Sequence, residues 1–213
     1  MSISNPFHFP NVLYHATLLR HYDSIKNRIL IHREDAKIDL DFGKGFYTTT
    51  NLQQANERAQ FLQNKETDWR TGALKRENRG IVVEIELNIE LMYNMSEEEC
   101  KVYESATPDW AEYIVYNRIL RRPDHIHKYK WTYGLMADGR ALGFLCRQYY
   151  KKEISIDQLL NGYECEGEFV QGIAPYSNDY VQLSFHEDEN FTNQALHVLG
   201  FTVCNQPHLA QRR

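Results

Sequence analysis

Two short segments carry side chains that could contact a bound ligand. In residues 13–17, Leu-Tyr-His-Ala-Thr, the imidazole of His15 and the hydroxyl of Thr17 lie two positions apart, and on a strand such residues face the same side. Residues 41–50, Asp-Phe-Gly-Lys-Gly-Phe-Tyr-Thr-Thr-Thr, combine glycines that allow close backbone approach with Tyr47, whose ring offers a flat face for stacking. The first segment could equally contain a buried structural histidine, and the second could be an ordinary tight turn. Each segment alone therefore fits a structural role as well as a ligand site.

The pattern of apolar residues predicts the elements that position these segments. Residues 81–87 are the clearest strand, and residues 43–45 form a turn before a strand of aromatic and β-branched residues. Further strands are expected at residues 11–15, 131–137, 180–185 and 201–204. Helices are expected after the caps Asp23, Asn51 and Thr107, and at residues 142–150, 156–160 and 191–199. Strands and helices mixed without regular βαβ alternation predict the α+β class.

Length and composition indicate one domain with a sizeable core. The chain has 213 residues, 42% of them hydrophobic and 13% aromatic, and a formal net charge of −5. Because no linker or repeat divides it, residues 1–213 are treated as one domain. The four cysteines form no CxxC pair, and no window holds the roughly 20 apolar residues of a membrane span. Residues 1–10 lack the pattern of a secretory signal, so we expect a cytoplasmic protein with no metal site and no membrane attachment.

Together, the two segments resemble a known family. His-x-Thr at residues 15–17, followed by Phe-Gly-Lys-Gly-Phe-Tyr at residues 42–47, resembles the NAD⁺-binding half of the ADP-ribosyltransferases of the histidine–tyrosine–glutamate class, which includes diphtheria toxin and the poly(ADP-ribose) polymerases. The resemblance implies a split core of two small packed antiparallel sheets with flanking helices. It also implies NAD⁺ as the substrate and no metal.

The same resemblance assigns roles to residues of both segments. His15 would bind the adenosine ribose with support from Thr17, and Tyr47 would stack on nicotinamide. Gly45 would let the strand pass close to the dinucleotide, beside Phe46. Ala16 would also belong to the NAD⁺ contacts, although the family usually has glycine after the histidine.

The catalytic glutamate of the class has two candidate positions here. Residues 112–116, Glu-Tyr-Ile-Val-Tyr, match the glutamate strand of the polymerases, but Thr107 and Pro108 predict a helix at that place. The chain is also similar to a bacterial group of uncharacterised ADP-ribosyltransferase-like proteins, whose late Gln-x-x-Phe before a helix corresponds to Gln182. On this resemblance Gln182 stands where other clades carry Glu. Alternatively, Gln182 is a polar residue on the solvent face of a strand, which would give the same sequence pattern.

A glutamine in that position has chemical consequences. The amide of Gln182 can orient the nicotinamide-ribose hydroxyl, but it carries no charge and cannot serve as a general base. The acceptor would therefore be already nucleophilic or would supply its own base. With His15 and Tyr47, Gln182 completes the predicted catalytic set.

The bacterial group also shares a W-xxx-I-xx-NR motif, which ends here in Asn117 and Arg118. The resemblance implies that both contribute to cofactor binding, with the arginine fork on a phosphate. A cation favoured at a helix C-terminus would explain Arg118 equally. Asp138, after the strand at 131–137, is interpreted as a turn residue.

One basic segment bears on the acceptor. Residues 118–130 contain five Lys or Arg and two His, with Tyr129, Trp131 and Tyr133 interleaved or adjacent, and residues 75–79 form a second basic loop. Such mixtures suit phosphate contact and base stacking, although a solvated helix end and loop would look alike. The net charge of −5 speaks only against nonspecific coating of nucleic acid.

The expected function is a mono-ADP-ribosyltransferase, acting as an intracellular bacterial toxin or defence effector, that transfers ADP-ribose from NAD⁺ to protein, RNA or DNA. A neutralising antitoxin protein is an expected partner. Two alternatives remain open at this point: an NAD⁺ glycohydrolase on the same fold, and a catalytically inactive binding module of that fold.

Overall fold

A computed structural model describes residues 8–31, 40–120, 128–137, 139, 141–175, 178–186 and 189–204. Side chains are described at all of these positions except Leu120 and Glu189. Several residues named above, among them those of the basic segment at 121–127 and Asp138, lie outside the described residues.

The described chain forms nine strands and seven α-helices. The strands are β1 (Val12–Leu18), β2 (Phe46–Thr48), β3 (Gly80–Leu87), β4 (Cys100–Tyr103), β5 (Trp131–Leu135), β6 (Tyr163–Cys165), β7 (Glu168–Val170), β8 (Val181–Phe185) and β9 (Leu196–Val203). The helices are α1 (Tyr22–Asn27), α2 (Leu52–Glu66), α3 (Ile89–Tyr93), α4 (Pro108–Leu120), α5 (Leu142–Tyr150), α6 (Ile156–Asn161) and α7 (Glu189–Ala195). Within the described ranges, none of these helices is long and apolar enough to cross a membrane.

The strands form two main sheets and a small hairpin, which confirms the predicted α+β class. The first sheet has the antiparallel order β1-β3-β9. The second has the order β2-β8-β5-β4, and only its β4–β5 pair is parallel. An antiparallel bridge between Tyr14 and Thr49 joins the first sheet to the end of β2. This bridge fixes the relative position of the two segments that carry His15 and Tyr47.

Apolar side chains from both sheets form the central core. Ile81, Val83 and Ile85 of β3 pack in one cluster with Trp131 of β5 and Phe185 of β8. The intervening Val82 faces the other way, against Ala55 and Ala59 of α2. The alternation of β3 thus gives the first sheet one face for the central core and one face for a helix.

A second core covers the far face of the four-stranded sheet. Trp110 and Ile114 of α4 pack with Leu145 of α5 and Leu159 of α6, and all four are fully buried. Phe42, from the segment before β2, is buried in the same cluster. The layers therefore run from α2 through the two sheets to α4–α6, and the 41–43 segment lies on the α4 side of the second sheet.

The predicted caps of the two long helices are confirmed. The side chain of Asn51 accepts a hydrogen bond from the backbone N–H of Gln54 at 3.1 Å. The Thr107 hydroxyl accepts from the N–H of Trp110 at 3.3 Å, and Pro108 is the first residue of α4. Residues 112–116 are consequently helical, so their likeness to a glutamate strand does not extend to the structure.

Predicted helix boundaries near both ends of the chain are wrong. The final helix ends at Ala195 rather than Leu199, because Leu196–Val203 pairs along the free edge of β3 as β9. Pairing with a buried neighbouring strand outweighs the local helical pattern there. The first helix begins at Tyr22 with His21 as its N-cap residue, and Asp23 lies in its first turn, where its charge favours the helix N-terminus.

Gly80 gives a test of the packing between α2 and the first sheet. A Cβ at Gly80 would clash with the carbonyl oxygen of Ala59, whereas a Cβ at Gly200, on β9 of the same sheet, would meet nothing within 4 Å. We expect Gly80→Ala to lower the free energy of unfolding by about 1–3 kcal/mol, because the helix backbone must move away. Urea denaturation measures this, and Gly200→Ala is the control. Equal stabilities of the two variants would contradict the tight packing.

Candidate functional site

Tyr47 and Gln182 lie on one face of the second sheet. In the β2–β8 pair Tyr47 is opposite Ser184, and Gln182 is two residues from Ser184 along β8. Paired residues and residues two apart on a strand point to the same side, so the three share this face. The 41–43 segment crosses the same face.

The hydroxyl of Tyr47 is held by that segment. It donates to the carbonyl oxygen of Gly43 at 2.5 Å and accepts from the backbone N–H of Phe42 at 3.0 Å. The environment raises the pKa of Tyr47 well above its usual value, chiefly through burial and then through the negative charge of Asp41. The hydroxyl therefore remains protonated and keeps the ring in place between β2 and the segment.

Asp41 is the centre of a buried polar cluster. Its Oδ1 accepts hydrogen bonds from Nε and Nη2 of Arg118 at 2.8 and 2.5 Å. Its Oδ2 accepts from Nε2 of Gln182 at 2.8 Å and from the backbone N–H of Ala137 at 3.1 Å. Asp41 is only 5% exposed, and these four bonds occupy the acceptor sites of a carboxylate. The cluster joins the segment before β2 to α4, to β8 and to the chain just after β5.

The bond to Asp41 fixes the orientation of the Gln182 amide. The opposite orientation would set the amide oxygen of Gln182 against a carboxylate oxygen, so its NH₂ group must face Asp41. The carbonyl Oε1 is thereby turned away from the carboxylate. Gln182 is 8% exposed, so the solvent-face interpretation of this residue is wrong.

Asn117 and Arg118 place the end of α4 against the same segment. Nδ2 of Asn117 donates to the carbonyl oxygens of Tyr113 at 2.9 Å and Asp41 at 3.4 Å. The Nε–Nη2 edge of Arg118 is engaged by the carboxylate of Asp41. Both residues thus belong to the cluster geometrically, and their contact with a dinucleotide stays a prediction.

His15 connects the first sheet to Tyr47. Since a carbonyl oxygen only accepts, Nδ1–H of His15 donates to the backbone oxygen of Tyr47 at 2.6 Å. The imidazole also stacks on Phe46, with ring centroids 4.3 Å apart and an interplanar angle of 25°. Burial lowers the pKa of His15 to about 4; the bond to Tyr47 opposes this shift, and the charges of His21 and Arg58 add to it. The ring is therefore neutral near pH 7, with Nε2 carrying the lone pair.

The neighbouring predicted residues have structural roles of their own. Thr17 is buried, two residues from His15 along β1. Ala16 points to the opposite face, where it packs with Ala55 and Ala59 of α2. A Cβ at Gly45 would lie 2.7 Å from Oγ of Ser184, 2.8 Å from Nδ1 of His186 and 2.8 Å from the carbonyl oxygen of Phe185, so close packing on β8 by itself requires glycine there.

The aromatic residues of the predicted basic segment are less accessible than expected. Trp131 is fully buried and contacts Phe9 edge-on, at a centroid separation of 5.2 Å, so its predicted role in base stacking is wrong. The reason is the alternation of β5, which turns this side chain into the central core. Lys130 forms an ion pair with Glu99 at 2.8 Å.

Sequence reasoning missed Asp41 as a site residue. The glycines and Tyr47 of this segment attract attention in the sequence, whereas Asp41 is marked only weakly, as a charged residue between the apolar Leu40 and Phe42. A carboxylate that is buried with such neighbours needs a cationic partner. Among the described residues, no group of three or more His, Cys, Asp or Glu is arranged to hold a metal ion.

Replacing the Asp41 carboxylate tests the cluster. We expect Asp41→Asn to lower the free energy of unfolding by about 2–4 kcal/mol, because the guanidinium of Arg118 loses its counter-charge in a mostly buried place. Urea denaturation measures the change. Glu153→Gln, which removes the exposed pair with Lys151 at 4.0 Å, is the control and should change stability by less than about 1 kcal/mol. A near-neutral Asp41→Asn would contradict the role assigned to the cluster.

The lowered pKa of His15 predicts a pH dependence of stability. The unfolded chain protonates this histidine below its ordinary value of 6.5, whereas the folded chain does so only near 4. The unfolded state therefore binds more protons in that window, and stability falls as pH decreases from about 6.5 to about 4. Free energies of unfolding at several pH values should show a shallower fall for His15→Gln than for the wild type. Identical slopes would show that His15 is not buried as a neutral ring.

Comparison with known proteins adds a family assignment. No curated protein and no solved structure matches the chain. A family model described as "Protein of unknown function (DUF3990)" matches residues 12–195, which extend from the start of β1 to the end of α7 and include every residue of the site. The chain belongs to this DUF3990 family.

Proposed function

We propose that this protein is an NAD⁺-dependent mono-ADP-ribosyltransferase with an ADP-ribosyltransferase-like split-sheet core. One observation carries the proposal. His15, Tyr47 and Gln182, which the family resemblance selected from distant parts of the sequence, lie on three strands that are joined in turn: β1 is bridged to the residue after β2, and β2 pairs with β8. His15 is bonded to Tyr47, and Tyr47 shares a sheet face with Gln182.

The chemistry of the three side chains fits a dinucleotide substrate. The neutral imidazole of His15 offers Nε2 as an acceptor for a ribose hydroxyl. The ring of Tyr47 is the stacking surface for nicotinamide, held by its hydroxyl bonds to Phe42 and Gly43. The Oε1 atom of Gln182 is the acceptor for a hydroxyl of the nicotinamide ribose.

Asp41 gives Gln182 part of the electrostatic effect that a glutamate would have at that position. Positive charge develops on the ribose as its bond to nicotinamide breaks, and negative groups around it lower the barrier. The Asp41 carboxylate lies 2.8 Å behind the amide of Gln182 and polarises it, so that Oε1 becomes a stronger acceptor. The carboxylate is saturated with hydrogen bonds and does not act as a base.

The transfer follows from these roles. The C–N bond between ribose and nicotinamide breaks, and nicotinamide leaves with the electron pair. A nucleophilic atom of the acceptor bonds to the ribose carbon and loses its proton to a base that the acceptor or solvent provides. We propose that the acceptor is a macromolecule inside the cell, that the protein acts as a toxin or defence effector, and that an antitoxin protein neutralises it.

A nucleotide-binding module without transfer is the second candidate. The neutral side chain of Gln182 favours it, because an amide cannot serve as a general base. The Nε–Nη2 edge of Arg118 also favours it, because Asp41 already engages this edge. Such a module would bind NAD⁺ or a related nucleotide and leave it intact.

Release of nicotinamide from NAD⁺ tests the transferase. We expect Gln182→Ala to lower the rate about 10²-fold, because the acceptor next to the developing charge is lost. His15→Ala and Tyr47→Ala should also lower the rate, since they remove a ribose contact and the stacking surface. Chromatography of the nicotinamide produced gives the rates.

Matched controls are available on the surface. His197 and Tyr116 are exposed and lie outside the site, so His197→Ala and Tyr116→Ala should keep the wild-type rate. Rates of the three site variants equal to those of the controls would refute the site. Binding of NAD⁺ without release by the wild type would favour the second candidate.

A further inference from the structure

Helix α2 and the turn after it present exposed aromatic rings among cations. Phe61 is 46% exposed and Trp69 is 84% exposed. The ammonium of Lys65 lies 4.4 Å and the guanidinium of Arg58 5.2 Å from the centroid of the Phe61 ring. The guanidinium of Arg70 lies 4.7 Å from the Trp69 ring. We call these five residues the α2 surface.

The position of this surface on the helix follows from its sequence. Ala55, Ala59 and Gln63 are buried, and they fix the side of α2 that packs on the first sheet. Arg58, Phe61 and Lys65 are spaced three and four apart, so they form one stripe away from the buried side. Among the described residues, neither Phe61 nor Trp69 belongs to one of the hydrophobic clusters that form the core.

The local charge is opposite to that of the whole chain. Residues 58–79 contain six Lys or Arg and three Asp or Glu, a net of +3, whereas the chain has −5. Glu66 is engaged by Arg20 at 3.1 Å. Asp68 accepts from the backbone N–H groups of Arg70 and Thr71, both at 2.8 Å, and so closes the turn that presents Trp69. Two of the three acids thus have structural partners, and the cations dominate the surface.

The stripe begins next to the candidate site. Gln54, one turn before Arg58 on the same side of α2, accepts from the hydroxyl of Thr49 at 2.7 Å. Thr49 directly follows β2, which carries Tyr47. The charge of Arg58 also contributes to the lowered pKa of His15, so the two residues are electrostatic neighbours. A polymer lying along the stripe would have one part at the site.

We propose that the α2 surface binds single-stranded nucleic acid, whose bases stack on Phe61 and Trp69 while the cations contact the phosphates, and that this strand is the acceptor of the ADP-ribose. The second half of the proposal rests on the proposed function; the binding itself does not. Stacking on separate rings needs unpaired bases, which favours a single strand over a duplex. A lipid surface is disfavoured because membrane-bound helices insert an apolar face, and the small apolar residues of α2 are buried against the sheet.

Binding is measured by fluorescence anisotropy with a labelled single-stranded RNA or DNA of about 16 nucleotides in mixed sequence. We expect Phe61→Ala and Trp69→Ala each to weaken binding between about 5-fold and about 100-fold. Phe169→Ala removes a ring that is 61% exposed on β7, away from α2, and should bind like the wild type. Because all three side chains are exposed, the variants should fold normally.

The salt dependence tests the phosphate contacts. Lys65→Gln should reduce the slope of log affinity against log salt by about 0.7, the value for one phosphate contact on a single strand. Lys151→Gln, at a side chain that is 67% exposed, should leave the slope unchanged. The proposal would be overturned if the wild type bound no oligonucleotide, or if the Phe61→Ala and Trp69→Ala variants bound it as tightly as the wild type. Stronger binding to the matching duplex or to phosphatidylserine vesicles would also overturn it.

Transfer separates this inference from the proposed function. With labelled NAD⁺ and the oligonucleotide, the Trp69→Ala variant should no longer label the strand. In the absence of the oligonucleotide, it should still release nicotinamide at the wild-type rate. Strand binding that depends on both rings, in a protein that releases no nicotinamide, would refute the transferase and leave the binding surface established. Release of nicotinamide with label entering only protein would overturn the nucleic-acid acceptor.

Discussion

The buried carboxylate of Asp41 is the constraint on which the site depends. Removing a charge from water is costly, and the cost is offset only when hydrogen bonds and a counter-charge surround it. Arg118 provides the counter-charge, while Gln182 and the N–H of Ala137 complete the bonding. This arrangement also accounts for glutamine at position 182. A glutamate there would place a second carboxylate directly against the first, and the two negative charges would repel each other.

The two sheets come together at the contact between His15 and Tyr47. The bridge from Tyr14 to Thr49 fixes the backbones, and the bond from the His15 ring to the Tyr47 carbonyl at 2.6 Å fixes the imidazole. The ring also lies on Phe46, whose burial in the central core makes it a rigid support. The core residues between the sheets therefore orient His15, while the cluster on the other face orients Gln182. His15 and Gln182 are thus held on opposite faces of the second sheet, next to its edge strand β2.

Local signals in the sequence predict much of the fold and part of the site. The caps Asn51 and Thr107 act within three residues, so they locate α2 and α4 correctly. The helix at 191–199 is mispredicted beyond Ala195 because the open edge of β3, more than a hundred residues earlier, pairs with that segment. Asp41 shows the same limit. Its partners Arg118 and Gln182 lie 77 and 141 residues away, and no local pattern marks them as neighbours.

The claim that NAD⁺ binds at this junction is tested most directly by the nitrogen resonances of His15. With ¹⁵N-labelled histidine, NMR distinguishes Nδ1, which donates to Tyr47, from Nε2, which faces the ligand in our account. Titration with NAD⁺ should shift the Nε2 resonance of His15, leave Nδ1 protonated, and leave the exposed His197 unchanged. An unchanged His15 spectrum at saturating NAD⁺, or equal shifts at His197, would contradict the account.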